Sequence, residues 1–250
     1  MQTTLLKDTK GAMPDNTRLQ LPQAAMSKPI KSKSISAKST TPDSTTDYSL
    51  SLRTADHPLR SELEDYIARR YARRHQAAIE HYLPHLLTLE NRQRTSAVLG
   101  LKSAHHQALF LEAYLDKPIE QVISQQLCTP VDRKRVVEIG NLAASQRTAS
   151  TLLFTLLSAL LDQAGYRWIV FTATPCVQAL VAGMGFSLQC IGEAKAERIE
   201  DGDNWGSYYE TRPQVMVGCI DETMRKALSP TMQGWLAAHE QAINTIAGRI

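Results

Sequence analysis

The sequence predicts a mixed α/β domain, a β-sheet flanked by helices with a further helix at its C-terminal end. Three observations predict it. Short apolar runs separated by turn residues make an antiparallel meander over residues 86–111. A β–loop–α–β–α–β run follows between Arg135 and Ile191, and crossovers of that kind join parallel strands with a right-handed turn. The helix Thr151–Ala164 inside that run carries leucines at 152, 153, 156, 157, 160 and 161, an apolar stripe wide enough to cover a sheet.

Taken in order, residues 1–54 are rich in Ser, Thr, Lys and Pro, with too few patterned apolar residues to offset the entropy of ordering them. They are expected to be a disordered leader, and residues 55–250 a single domain. Asp56-His57-Pro58 opens a helix with Leu59, Leu63, Tyr66, Ile67 and Tyr71 at helical spacing, which Pro84 should stop. Arg69, Arg70, Arg73 and Arg74 cluster on it and read as a solvated face. Strands Leu86–Leu89 and Thr95–Leu101 flank a turn at Asn91-Arg92-Gln93, and Leu109-Phe110-Leu111 makes a third. Asp116-Lys117-Pro118 opens a short helix. Arg135–Ala143 is a buried strand, followed by a polar turn and a helix start at Ser150–Thr151 that Gly165 ends. Strand Arg167–Ala173, a helix begun at Thr174-Pro175, strands Ser187–Ile191 and Val215–Ile220, and a terminal helix bearing Met232, Trp235, Leu236, Ile243 and Ile246 complete the chain.

Charge and cysteines narrow the function. Of 28 Lys/Arg and 25 Asp/Glu, residues 1–54 hold eight and four, leaving 20 against 21 in the rest. A near-neutral body argues against a nucleic-acid face built on phosphate neutralisation. Cys128, Cys176, Cys190 and Cys219 are widely spaced, the pattern of free thiols rather than a disulfide framework or zinc site. No secretory signal is apparent, and no stretch reaches the roughly 18 apolar residues of a membrane span. A cytoplasmic location is expected. His75, His81 and His85 lack a metal-binding pattern, and no metal is expected.

The chemistry concentrates at Glu138-Ile139-Gly140-Asn141-Leu142-Ala143. A strand-borne carboxylate precedes a helix N-terminus, where free N–H groups and the dipole suit a phosphate. Glu138 reads either as a base or as a structural carboxylate paired with a nearby arginine. Asn141 reads as an oxyanion donor, with the Leu142 N–H beside it, or as a residue that ends the strand.

Two family resemblances attach to these residues. The order of elements over Glu138–Phe186 resembles the Gcn5-related N-acetyltransferase (GNAT) fold, which includes acyl-homoserine-lactone synthases. The more specific resemblance is to the bacterial thermostable hemolysin family, from about Tyr71 to Gly218. Its blocks are His75…Leu83-Pro84-His85, Ala97–Ala104, Leu109–Glu120, Val137–Ala143, Phe171–Thr174 and Trp205-Gly206-Ser207-Tyr208-Tyr209-Glu210.

The GNAT resemblance implies an acyltransferase that takes an acyl group from a CoA or acyl-carrier-protein thioester to a small-molecule amine. It implies that Leu142, Ala143 and the loop Gln146-Arg147-Thr148-Ala149-Ser150-Thr151 bind the donor, with Ala149 and Thr151 standing where the family has small residues. Tyr208, with Tyr209, is the implied general acid toward the leaving thiol. The name hemolysin implies membrane lysis, and an imperfect donor loop suits a non-catalytic scaffold; these are the alternative readings.

Overall fold

The structure, a computed structural model, describes residues 47–225 and 228–250. The fold begins earlier than the sequence predicts. Tyr48, Leu50 and Leu52 alternate inward in a first strand, β1 (Tyr48–Arg53), so the last residues assigned to the leader belong to the sheet. The rest of that expected leader, residues 1–46, lies outside the described residues.

Helix α1 (Arg60–His75) ends well before Pro84, because Gln76 takes a left-handed conformation with φ 55° and closes the last turn on Ala72 O. Residues 77–84 then form an irregular segment that leads into the next strand. β2 (His85–Asn91) and β3 (Arg94–Ser103) form the predicted hairpin, with Arg92 and Gln93 both at positive φ in its two-residue turn. Leu109–Leu111 is no strand: Phe110–Tyr114 is a 3-10 helix. Its carboxylate partners, described below, come from tertiary structure and leave no mark on the local pattern. α2 (Ile119–Leu127), β4 (Val136–Ala144), α3 (Arg147–Gln163), β5 (Trp168–Ala173), α4 (Pro175–Gly183) and β6 (Leu188–Glu193) follow as the periodicity predicts, except that α3 starts at Arg147 rather than Ser150–Thr151. β7 (Gln214–Cys219), α5 (Ile220–Arg225) and α6 (Pro230–Ala247) end the chain.

Among the described residues seven strands make one sheet in the order β1-β2-β3-β4-β5-β7-β6. β4 and β5 pair in parallel; the other neighbours are antiparallel. β6 does not sit beside β5, because β7 inserts between them. This mixed sheet with helices on both faces and a C-terminal helix is the fold class that the sequence predicts.

Strand alternation sorts the core into two faces. Val137, Ile139, Ile169 and Phe171 point to the face covered by α3 and α6. Val136, Trp168 and Val170 point the other way, into a layer with the 3-10 helix and α2, and α1 covers the neighbouring part of that same face through Leu63 and Ile67. α6 is tied to β1 by His239, whose buried ring nitrogens lie 2.8 Å from Trp235 O and 3.0 Å from Tyr48 O.

Candidate active site

The parallel pairing of β4 with β5 stops at Ile139–Phe171. Beyond it β4 bulges: Val98 faces Ala143 and Gly100 faces Gly140, so two residues of β4, Asn141 and Leu142, stand opposite Leu99 alone. Asn141 takes φ 51°, a left-handed conformation that Asn tolerates better than most residues. The two strands diverge from this point. A cavity of about 870 Å³ opens in the split.

The cavity draws on both faces of the sheet. Leu99, Ile139, Phe154 and Phe171 come from the apolar core under α3. Glu138, Tyr208 and Trp205 come from the α1 side. One end is therefore lined by hydrocarbon, and the other by polar and charged groups.

Glu138 is 4% exposed and its carboxylate accepts two backbone N–H groups, Phe110 at 2.8 Å and Leu111 at 3.0 Å. The 3-10 helix thus begins on this carboxylate. No arginine bonds to it among the described residues, so the alternative of an arginine-paired carboxylate does not hold. Lys102, its cross-strand partner, donates instead to Ala108 O at 2.6 Å. Burial pushes the Glu138 pKa up to about 7, against the opposing pull of the two N–H groups and the Lys102 charge. A group poised there can exchange a proton near neutrality.

The first turn of the 3-10 helix is fixed independently. Glu112 accepts Leu109 N–H and Ile119 N–H, both at 2.7 Å, and binds Arg133 through both oxygens. Arg133 also reaches Glu120 at 2.6 Å and Ala104 O at 2.7 Å.

Asn141 lies on the cavity wall, and both ends of its amide are engaged. Oδ1 accepts Leu83 N–H at 2.9 Å, and Nδ2 donates to His81 O at 3.0 Å. Asn141 is thus the clamp that holds residues 81–83 over the bulge, and its Nδ2 keeps a second N–H for the oxyanion role that the sequence suggests. From the other side the buried Arg60 donates to Leu83 O and Pro84 O, each at 2.7 Å. Gly100 leaves room for this crossing, since a Cβ there would stand 2.7 Å from Leu83 Cβ. Asn141→Gly keeps the backbone conformation but loses both hydrogen bonds, so it is expected to cost about 1–3 kcal/mol. Denaturant melts measure this, and an unchanged midpoint would show that the clamp is idle.

The structure separates the two candidate tyrosines. Tyr209 OH lies 2.6 Å from Tyr114 OH. The Tyr208 hydroxyl has no hydrogen-bond partner among the described residues, and Tyr208 lines the cavity. Burial pushes its pKa well above the ordinary tyrosine range, so it keeps its proton. Its ring stands edge-on to His75, 5.3 Å between centroids. Gly206, at φ 52° and ψ −128°, makes the turn that brings it there, and a Cβ at Gly206 would lie 2.1 Å from His75 O.

The predicted donor stretch is divided. Leu142 and Ala143 line the cavity, and so do Ala144 and Ser145. Gln146 to Thr151 do not. Gln146 is an extended N-cap without a side-chain cap bond, and α3 begins at Arg147, so the N–H groups of Arg147, Thr148 and Ala149 have no intrahelical acceptor. The Ala149 and Ser150 side chains are buried against the sheet, and Thr151 Oγ1 donates to Arg147 O at 3.1 Å. Of the stretch, Gln146, Arg147 and Thr148 remain exposed at the helix start.

Sequence reasoning missed the arginines. Arg70, Arg73 and Arg74 line the cavity instead of facing away from it. The signal was present: their i, i+3, i+4 spacing places them on one side of α1. Among the described residues no cluster of His, Cys, Asp and Glu could hold a metal ion.

Among solved structures the chain is similar to the AHL synthase LasI, with 9% identity and a TM-score of 0.49 over 69% of this chain and 90% of that one. It is similar too to FeeM, an N-acyl amino acid synthase from uncultured soil microbes, with 14% identity and a TM-score of 0.49 over 70% and 93% of the two chains. An agmatine N-acetyltransferase gives 13% identity and a TM-score of 0.43, over 68% and 98%. Likenesses this distant bear no weight on the chemistry. No curated protein matches the sequence. Residues 53–224 match the family model described as thermostable hemolysin, and with more than half its length matched the chain belongs to that family.

Proposed function

We propose that the protein is an acyltransferase, moving an acyl group from a CoA or acyl-carrier-protein thioester to an amine. One observation carries the reading: the split between β4 and β5 joins an apolar half-cavity to a polar one, with Glu138 and Tyr208 on the polar side. A thioester with a hydrocarbon tail matches that division. Its chain fits among Leu99, Ile139, Phe154 and Phe171, and its carbonyl stands near the bulge. The phosphate of the donor suits the uncapped start of α3 beside Ser145.

In this reaction the amine nitrogen attacks the thioester carbonyl carbon. The C–N bond forms, the C–S bond breaks, and Glu138 takes the proton lost by nitrogen. Tyr208 gives the departing thiolate its proton and regains one from Glu138, so amide and thiol are the products. Such thioesters are intracellular pools, and the reading accordingly puts the protein in the cytoplasm.

Direct membrane lysis, the activity its family name suggests, has a specific observation against one route: no helix among the described residues is long and apolar enough to cross a membrane. Acylating a charged amine makes an amphiphile, which can lyse cells by itself. Purified protein is then expected to leave dye-loaded liposomes intact, whereas extracts of cells producing it lyse red cells. Leakage caused by lipid-free protein would restore direct lysis.

The donor is tested by thermal melts with CoA, acyl-CoA and acylated carrier protein. A ligand at a hundred times its Kd stabilises by about 2.7 kcal/mol. A melting temperature indifferent to all three leaves the scaffold reading in front.

A further inference from the structure

The charged side chains on the cavity wall are unbalanced. Arg70, Arg73, Arg74 and Lys102 face Glu138 as the one carboxylate lining it. Two of the cations are occupied: Arg70 donates to Ala144 O, and Lys102 to Ala108 O. Arg73 and Arg74 have neither an ion pair nor a hydrogen bond among the described residues. They sit in the last turn of α1, where the helix dipole favours cations. That alone would explain solvated arginines, but not a pair turned onto a cavity wall.

A second observation points the same way. The Tyr208 hydroxyl, open to the cavity on an otherwise buried side chain, also has no hydrogen-bond partner among the described residues. The two features are brought together by the loop 205–208, since the carbonyl of His75, next to Arg74, accepts Ser207 N–H at 2.8 Å. Guanidinium groups on a cavity wall with no counter-ion favour an anion there. Their forked donors match a carboxylate.

We infer that the acceptor amine carries a carboxylate, placing it in the chemical class of amino acids, and that Arg73 and Arg74 hold that carboxylate. The inference rests on the acyl-transfer reading and names its acceptor. A donor phosphate is the other source of an anion. Arg73 and Arg74 lie a turn along α1 from Arg70, which is the arginine bonded to the end of β4 just before α3. That places them on the acceptor side, with Tyr208.

The test titrates the full chain with N-dodecanoylglycine, with its methyl ester and with CoA, in wild type and in the Arg73→Gln/Arg74→Gln variant. Both arginines are exposed enough for the variant to fold, and a thermal melt checks this. The acid is expected to bind wild type about 10–100-fold more tightly than the ester. The variant should lose that preference and keep its affinity for CoA. Equal binding of acid and ester by wild type overturns the inference while leaving acyl transfer standing. So does an acid preference that survives in the variant. A variant that loses CoA binding alone assigns the arginines to the donor phosphate and also overturns it. If neither the acid nor the ester binds, the acyl-transfer reading falls together with the inference.

Discussion

Glu138→Gln is expected to slow acyl transfer by about 10²–10⁴-fold. The substitution is less innocent than its size suggests. Both carboxylate oxygens accept backbone N–H groups, from Phe110 and Leu111, and a Gln amide can accept through one atom only. One buried N–H is stranded, at a cost of about 1–3 kcal/mol. The variant therefore melts earlier without unfolding, and stability must be read beside rate.

The pH dependence separates the two effects. The Glu138 pKa is raised from 4.5 in the unfolded chain to about 7 in the fold. Its neutral form thus favours folding fully below pH 4.5, and that contribution is lost as pH rises through 7, by about 3 kcal/mol in all. Wild type should lose stability over this window and the variant should not, so the gap between their melting temperatures narrows with rising pH. Activity runs the opposite way, because a base must be ionised: wild-type rate climbs through pH 7, and the residual rate of the variant lacks that climb. A variant with full activity, or with the same pH profile as wild type, removes Glu138 from the chemistry.

A chain that begins at residue 55 is expected to be on the order of 5 kcal/mol less stable than one that begins at residue 47. The shorter chain lacks β1, which buries Tyr48, Leu50 and Leu52, each contributing roughly 1.5–3 kcal/mol. It also removes the carbonyl of Tyr48 that His239 contacts, and it bares the edge of β2. Domains of this size are typically stable by only about 5–15 kcal/mol. The shorter chain should therefore melt far lower or fail to fold. Matching melting curves for the two chains would show that β1 contributes nothing.

That strand illustrates where the sequence stopped being legible. Three alternating apolar residues after a long Ser/Thr-rich tract are too weak a pattern to stand out from it, and burial against α3 and α6 supplies what local propensity lacks. Long periodic elements such as α3, β5 and α6 were readable, because their apolar spacing encodes the face they bury. The 3-10 helix was misread as a strand, since Leu109-Phe110-Leu111 is a short apolar run and the groups that bend it, Glu138 and Glu112, act through space. The insertion of β7 between β5 and β6 is a matter of topology, which no local pattern records.

At the site, Glu138 and Tyr208 could be picked out one by one, and the structure brings them to one cavity. The commitment of the Asn141 amide to His81 and Leu83 could not be read, for its partners lie about sixty positions earlier. The arginines were visible as a cluster, but which way α1 turns them is decided by Leu63 and Ile67 packing on the sheet.

The bulge at Asn141 and Leu142 also works as a frameshift within β4. Before it, even-numbered residues such as Val136 and Glu138 face the α1 and α2 layer; after it, odd-numbered Ala143 does, while Leu142 and Ala144 turn to α3. Deleting one of the two bulged residues would restore one unbroken alternation: Ala143 would stay opposite Val98 on its present face, but β4 would lose the kink that parts it from β5. β4 could then zip further along β5, closing the split. Point substitutions around the cavity can tune this protein; a one-residue deletion at the bulge would erase the cavity in one step, leaving the sheet itself standing.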